Sequence, residues 1–545
     1  MKKYVLLLAL LLLMIGVNAT AMAQEQADAF TCPNSGGTLI TFIADNPVSL
    51  NGIYANDGVS VSVLSWIFNP LTLGGENWGS EIMGDLAESW SVSDNGLTWT
   101  FNLRQGVQFS DGSELTADDV VYTFNTIQTS EEDIAPFRPR FYQGDQPIQF
   151  EATDTYTVVA TLTSPNASFF TDISVPIIPA GSLDNQDLRT GDFNRMPIGT
   201  GPFRVAEWIT GESITLEANE YYFRGRPCLD RVIFRIIPDE QARVNALLTG
   251  EIDFIVNVPG ASLAQFQNNP DFNVQVVDYD SLFAVFFNNA REQFQDVRIR
   301  QALMIAIDRQ ALVDTVRQGF GHVHNSHFDL VVPFYSDDKL GGYDYDPERA
   351  GQILDEVGIT DSDGDGIRDL NGEPWVINLL SFQEGFRDYF AFATVVQAYW
   401  QDIGIQVDLE TRDLSTMIAQ LYQERVEDKP FDVMVSGWAQ IGPEPNSYSN
   451  FYITTPELGP NLENYNNPEV NALFEQARMI SDYDERMAVY EQIEQILWND
   501  LPTLPIYRNQ NPIVFSNRVN IEDAQLDSAL GSGFRHLERL SLNSG

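Results

Sequence analysis

Three of the chain's four histidines fall within one run, His322, His324 and His327 in GHVHNSH. Imidazoles at that density can ligate Zn2+, Ni2+ or Cu2+ through a ring nitrogen. The run follows Gly319-Phe320-Gly321, reads as loop and has no cysteine beside it. A polar loop lining a cleft is therefore the preferred reading, with a metal set as the alternative. A second candidate is DSDGDGIRDLNG, residues 361–372, where Asp361, Asp363, Asp365 and Asp369 take positions 1, 3, 5 and 9 of an EF-hand-like loop and Gly366 takes position 6. Position 12 is Gly372, with Glu373 one residue late, so a Ca2+ ion there would be held weakly. A plain Asp/Gly turn is preferred, and no other cofactor is expected.

Two further residue types could carry chemistry. Trp438, in SGWAQIGPEP, comes directly after an apolar run and is expected on a Gly-flanked loop, where its ring could cover a bound solute. A core tryptophan at a strand end is the alternative. Cys32 and Cys228 are the only cysteines and form no CxxC motif. In an exported chain a disulfide is the preferred reading, and two buried free thiols the alternative. The sequence contains no HExxH, GxSxG, GxxxxGK[ST] or GxGxxG pattern, so an enzyme is not expected.

The elements that must position these residues begin after a targeting segment. Lys2-Lys3, the apolar run Val5–Val17 and the small-x-small site Ala21-Met22-Ala23 read as a signal peptide over residues 1–23. Its removal leaves 522 residues at a net charge of −48, against −46 for the whole chain. Such a field repels nucleic acid and anionic lipid, and neither is an expected partner. After cleavage the only lysines are Lys339 and Lys429; adaptation to salt and biased genome composition account for this equally well. Ala29-Phe30-Thr31 before Cys32 lacks the aliphatic-small-small lead of a lipoprotein site, so a soluble, exported chain without a lipid anchor is expected.

Hydrophobic periodicity then alternates strands and helices. Asp94-Asn95-Gly96 separates two period-two segments, a hairpin pattern, and Thr116 stands as N-cap before Ala117-Asp118-Asp119. Thr38–Ile43 reads as a first central strand, with the loop Ala44–Asn51, including Asn46, as a candidate cleft wall beyond its carboxyl end. Val205–Trp208 and Ile214–Glu217 form a hairpin, Asp239 caps a helix ending at Gly250, and Asp308 caps another. Phe390–Asp402 is a helix feeding strand Ile405–Leu409, with Trp400 expected in the core.

Leu86–Asn125 contains LAESW, DNGLTWTFNLRQGVQFSDG and LTADDVVYTF, and in these pieces the chain resembles the family 5 extracellular solute-binding proteins, the dipeptide- and oligopeptide-binding components of ABC importers. The GTGP turn at 199–202 and the Gly250-Glu251-Ile252-Asp253 helix end extend the resemblance, which covers nearly all of the mature chain. It implies an α/β, two-lobed periplasmic-binding-protein type II fold (cluster C) with a subdomain inserted in lobe one. The expected division is lobe one at 24–70, 196–278 and 504–545, the insert at 71–195 and lobe two at 279–503, with chain crossings at 276–289 and 504–507. The implied function is hinge closure on a small solute, possible oligopeptide cargo included, followed by delivery to a membrane permease by a monomeric receptor. Peptide binders of the family carry an Asp three residues after the tryptophan matched by Trp438; here that position is Ile441, although Glu444-Pro445 keeps the register. Either Glu444 pairs with a ligand ammonium or the ligand has none there. Asn446, and Tyr279 at the crossing, complete the implied contacts. Some family members carry nickel, so an oligosaccharide or metal chelate is the alternative cargo, and a chemosensory receptor the alternative role.

Overall fold

This computed structural model describes residues 30–55, 57–74, 82–131, 135, 137–267, 269–328, 340–383, 388–413, 416–417, 431–439, 445–453, 461, 463–480, 482–526 and 533–543, with Ala261, Tyr279, Asp280, Trp438, Ala439 and Asn450 described in their backbone only. Strand β1 (Thr38–Ile43) alternates half-buried and buried residues, as its period-two pattern requires. Helix α1 (Gly58–Ile67) follows, with the Asp57 carboxylate accepting from the Ser60 N–H at 2.9 Å as N-cap. The GTGP glycines pack on its last turn. A Cβ at Gly199 or Gly201 would lie 2.2 or 2.4 Å from the Ile67 backbone, so only glycine allows that approach.

The insert holds hairpin β2 (Ala87–Val92) and β3 (Thr98–Leu103), with Gly96 at φ +69° in its turn. Helix α2 (Ala117–Thr129) starts at a capping box between Thr116 and Asp119. Strands β4 (Gln149–Asp154) and β5 (Thr157–Thr161) complete a four-stranded sheet in the order β2-β3-β5-β4. Its core is continuous with that of lobe one, Phe101, Phe124 and Phe169 joining one cluster with Trp66, Phe203 and Phe234.

The chain returns to lobe one through β6 (Phe203–Ile209), β7 (Ser213–Ala218) and β8 (Arg231–Ile236), which pairs in parallel with β1. A disulfide joins Cys32 to Cys228 across a Cα separation of 5.5 Å and ties the start of the described chain to this sheet. Helix α3 (Glu240–Leu248), capped by Asp239, ends before Gly250 at φ +74°. Strand β9 (Phe254–Ile255) and helix α4 (Gly260–Gln267) come next.

Strand β10 (Phe272–Phe287), 16 residues long, carries the chain into lobe two. There α5 (Val297–Ile305) and α6 (Arg309–Val316) are capped by Asp296 and Asp308, and β11 (Gly321–Val323) follows. Helix α7 (Pro347–Glu356) precedes β12 (Val376–Phe382), α8 (Tyr389–Asp402) and β13 (Gln406–Arg412), with β12 and β13 parallel. Trp400 on α8 is fully buried, its indole N–H donating to the Leu303 carbonyl at 3.1 Å, and is core as expected. Then come β14 (Val433–Ala439), α9 (Pro468–Arg478) and α10 (Tyr483–Asp500), and β15 (Thr503–Ser516) returns to lobe one.

The two long strands run antiparallel through both lobes, inside one sheet of order β9-β15-β10-β14-β12-β13 with β11 on β15. Pairing runs from Phe272↔Ser516 to Asp278↔Gln510, breaks at a bulge over residues 279–281, and resumes at Leu282↔Arg508. This moves one boundary. Sequence placed the return at 503/504, but Leu504, Ile506 and Tyr507 pack in the lobe-two core, while Ile513 and Phe515 pack in lobe one. The change of lobe on β15 thus falls near 509–510, opposite the bulge, because strand pairing continues past the expected crossing.

Candidate functional site

At the bulge the register lines up four strands. Trp438 pairs with Leu282, Leu282 with Arg508, and Arg508 with His322, one lateral row across β14, β10, β15 and β11 where the lobes meet. Trp438 was expected on a loop after the strand. It lies within β14 instead, since Gly437, Trp438 and Ala439 pair with Phe283, Leu282 and Ser281. Gly437 permits this: a Cβ there would stand 2.1 Å from the Leu282 carbonyl oxygen. Tyr279 falls in the bulge itself.

Arg508 is only 2% exposed. Burial pushes its guanidinium down to about 9, with the Asp278 carboxylate acting against that fall. Asp278 is more than half exposed, accepts from the Gln510 side-chain amide at 3.0 Å and lies 3.3 Å from His322 Nε2. Sequence reasoning missed Arg508, although one cation inside the otherwise uncharged run TLPIYRNQNP was a readable signal.

The three histidines do not form a metal set. His322 lies on β11 and is exposed, whereas His324 and His327 are buried. His324 Nε2 is 2.8 Å from the Phe328 carbonyl, and its backbone N–H donates to Ile506. Burial first, then the Arg508 charge, hold its ring well below the usual histidine range and so keep it neutral. His327 Nε2 faces the Thr503 carbonyl at 3.1 Å and Nδ1 faces Glu494 Oε1 at 3.2 Å. The expected loop is thus an added strand followed by a buried turn, and backbone pairing on β15 sends the rings to separate partners. Arg309 clamps the turn, donating to the His324 carbonyl and the Asn325 side chain, both at 3.0 Å.

The acidic loop is only partly assembled. Asp361, Asp363 and Asp365 are exposed and can bring one oxygen each within 4.8 Å of the others. Asp369 does not join them: it accepts from the Ser362 hydroxyl and the Ser362 N–H, which hold its carboxyl below the usual range. Asp361 accepts from the N–H groups of Gly364 and Gly366 at 2.7 and 3.0 Å, the geometry of an Asp-supported turn.

The remaining candidates are dispersed. The Asn46 side-chain oxygen accepts from the Gly211 N–H at 2.7 Å and ties the β1 exit loop to the β6–β7 turn in lobe one. Asn446 is half-buried in a 3-10 turn, accepting from the Tyr490 hydroxyl at 3.3 Å. Ile441 and Glu444 lie outside the described residues, as does the signal segment 1–23. One hydrogen bond also joins the insert to lobe two, the Ala167 N–H donating to the Arg478 carbonyl at the end of α9 at 3.1 Å.

Among the described residues no helix is long and apolar enough to cross a membrane. Residues 81–458 match the family model described as bacterial extracellular solute-binding proteins, family 5 Middle. The oligopeptide-binding protein AppA of Bacillus subtilis is 32% identical over 495 residues, covering 88% of this chain and 87% of AppA. Its structure in complex with a nonapeptide superposes with a TM-score of 0.76 at 30% identity, over 94% of this chain and 100% of that one. The ABC transporter substrate-binding protein CtaP of Listeria monocytogenes gives a TM-score of 0.82 at 27% identity, over 93% of this chain and 99% of CtaP.

Proposed function

The chain belongs to family 5 of the bacterial extracellular solute-binding proteins, and from that premise we propose that it captures a peptide-like solute between its lobes and delivers it to the permease of an ABC importer. The observation that carries this reading is the crossing: two antiparallel strands that pair through both lobes, with the wider of their two register breaks at 279–281 and the Trp438 row directly on its lobe-two side. A break in pairing at 279–281 opposite Asn509 is where backbone angles can change without unpacking either core. The Ala167–Arg478 hydrogen bond, made between the insert and lobe two, supports a closed arrangement of the lobes.

Ile441 favours a second reading of the cargo. A buried ammonium needs a fixed counter-charge, and an isoleucine cannot supply one. A blocked or modified peptide, an oligosaccharide or a metal chelate satisfies that position, whereas a plain dipeptide does so only if Glu444 takes the ammonium. The receptor acts as an exported monomer without lipid anchor, resident cofactor or turnover of its cargo.

Native mass spectrometry of the purified mature protein, followed by calorimetry with di- and tripeptides, tests the reading. The expected result is a co-purified adduct of peptide mass and micromolar or tighter binding of at least one peptide. A sugar-mass adduct together with no heat from any peptide would replace the peptide with the second reading.

A further inference from the structure

The insert, whose core is continuous with lobe one, also touches lobe two. Its loop at 164–168 meets the carboxyl end of α9, where the Ala167 N–H donates to the Arg478 carbonyl at 3.1 Å. Ala167 is only 8% exposed yet belongs to no apolar core, so it is buried at this contact. The loop is built before it docks. The Gln143 side chain holds Ser164 from both sides, accepting from its N–H at 3.1 Å and donating to its carbonyl at 2.8 Å. The Asn166 amide donates to Asp172 at 2.9 Å, and Pro165 packs under the β2–β3 turn, 2.9 Å from where a Cβ on Gly96 would stand. Every one of these anchors lies in the insert, so the loop travels with lobe one. The group it meets suits a contact that opens. The last four carbonyls of a helix have no partner within it, so the Arg478 carbonyl takes its donor from outside α9. Met479 beside it is 53% exposed, so water reaches the helix end once the lobes part. The Ser168 hydroxyl, by contrast, is buried without a hydrogen-bond partner among the described residues, a cost that a permanent core interface avoids.

We propose that the insert is the closing latch of the receptor: its prebuilt loop at 164–168 docks on the carboxyl end of α9 when the lobes shut and slows release of the enclosed solute. The proposal rests on the receptor reading above and adds to it what holds the closed form. Neither partner belongs to the crossing, and the sheet of the insert is separate from the sheet that runs through both lobes. Movement at the 279–281 break therefore parts loop and helix end while the core on either side stays packed. A loop already held in shape loses little freedom on docking, so even one hydrogen bond counts towards closure.

Two variants of the full mature protein test it. Ala167→Cys with Met479→Cys places a thiol pair across the contact, which a mild oxidant can bridge only when loop and helix end meet. The bridge should form in solute-free protein, and the bridged form should have a smaller radius of gyration by X-ray scattering than the unbridged one. No bridge, or equal radii for the two forms, overturns the proposal. Ala167→Trp wedges the contact open instead. The solute that co-purifies with it, followed by native mass spectrometry during dialysis, should be lost roughly 2- to 10-fold faster than from the wild type, the worth of one hydrogen bond. The urea midpoint of the solute-free protein should be unchanged, because the wedge acts only on the closed form. Equal retention, or a midpoint lowered together with retention, overturns the latch and leaves the receptor reading standing. A wild type that carries no solute counts against the receptor reading, and the bridge then decides on the latch alone.

Discussion

At the scale of single residues, His324 behind the Trp438 row makes the stability of the fold depend on pH. His324 is buried against Phe328 and Arg508, and burial keeps its ring neutral in the folded state. The same ring in the unfolded chain takes up a proton near pH 6.5. Below that pH the unfolded state therefore binds one more proton than the folded state, and stability falls as pH falls. The contribution is intact above about pH 6.5 and is lost at up to about 1.4 kcal/mol per pH unit below it, until the depressed folded-state value is reached. Urea midpoints measured from pH 7.5 to 5 should fall more steeply for the wild type than for His324→Asn. Parallel curves would mean that His324 is protonated in both states. His327 is held otherwise, its two ring nitrogens facing the Thr503 carbonyl and the Glu494 carboxylate. Each ring already faces an oxygen partner, which is the physical reason the metal set, the alternative reading of GHVHNSH, does not assemble.

At the scale of elements, what could be read in the sequence was whatever depends on near neighbours. The Gly96 hairpin, the Thr116, Asp239 and Asp308 caps and the buried Trp400 each follow from residues within one turn or one pairing. The candidate site was harder because its geometry comes from pairing between segments far apart in sequence. Nothing local in SGWAQ says that Leu282 will extend β14 by pairing with Trp438, and nothing in GHVHN says that β15 will zip His322 into a strand. The one local clue was Gly437, whose missing Cβ lets β10 approach. Gly437→Ala should therefore cost about 2 kcal/mol or more by forcing a packed strand pair apart. The control is Gly106→Ala, at φ +73° with open space around it, where only the backbone penalty of about 1 kcal/mol applies. Urea denaturation of both variants compares the costs. Equal losses would show that the Leu282 carbonyl moves aside freely and that the row is not rigidly spaced.

At the scale of the whole molecule, the mature chain's net charge of −48, against −46 for the whole sequence, acts on a solute in two places, outside the cleft and inside it. Repulsion of a carboxylate is long-ranged and acts on approach, whereas contacts inside the cleft act once the solute is seated. Salt separates the two, because the Debye length falls from about 30 Å at 0.01 M to about 10 Å at 0.1 M, while buried pairs are screened far less. Association of an N-acetylated tripeptide with a free C-terminal carboxylate, followed by stopped-flow tryptophan fluorescence beside its C-terminal amide, should therefore accelerate roughly 3- to 10-fold between 0.01 and 0.3 M salt. Its dissociation rate should change little over the same range. The amide form, uncharged at both ends, should associate at a rate almost independent of salt. Affinity for the carboxylate form then rises with ionic strength, the reverse of an ordinary charge-driven association. This sign makes the experiment decisive about the surface as well as the site. An association rate that falls with salt would mean that the mouth of the cleft carries a local positive field strong enough to outweigh the acidic surface. The cargo would then be steered in from outside rather than selected after entry.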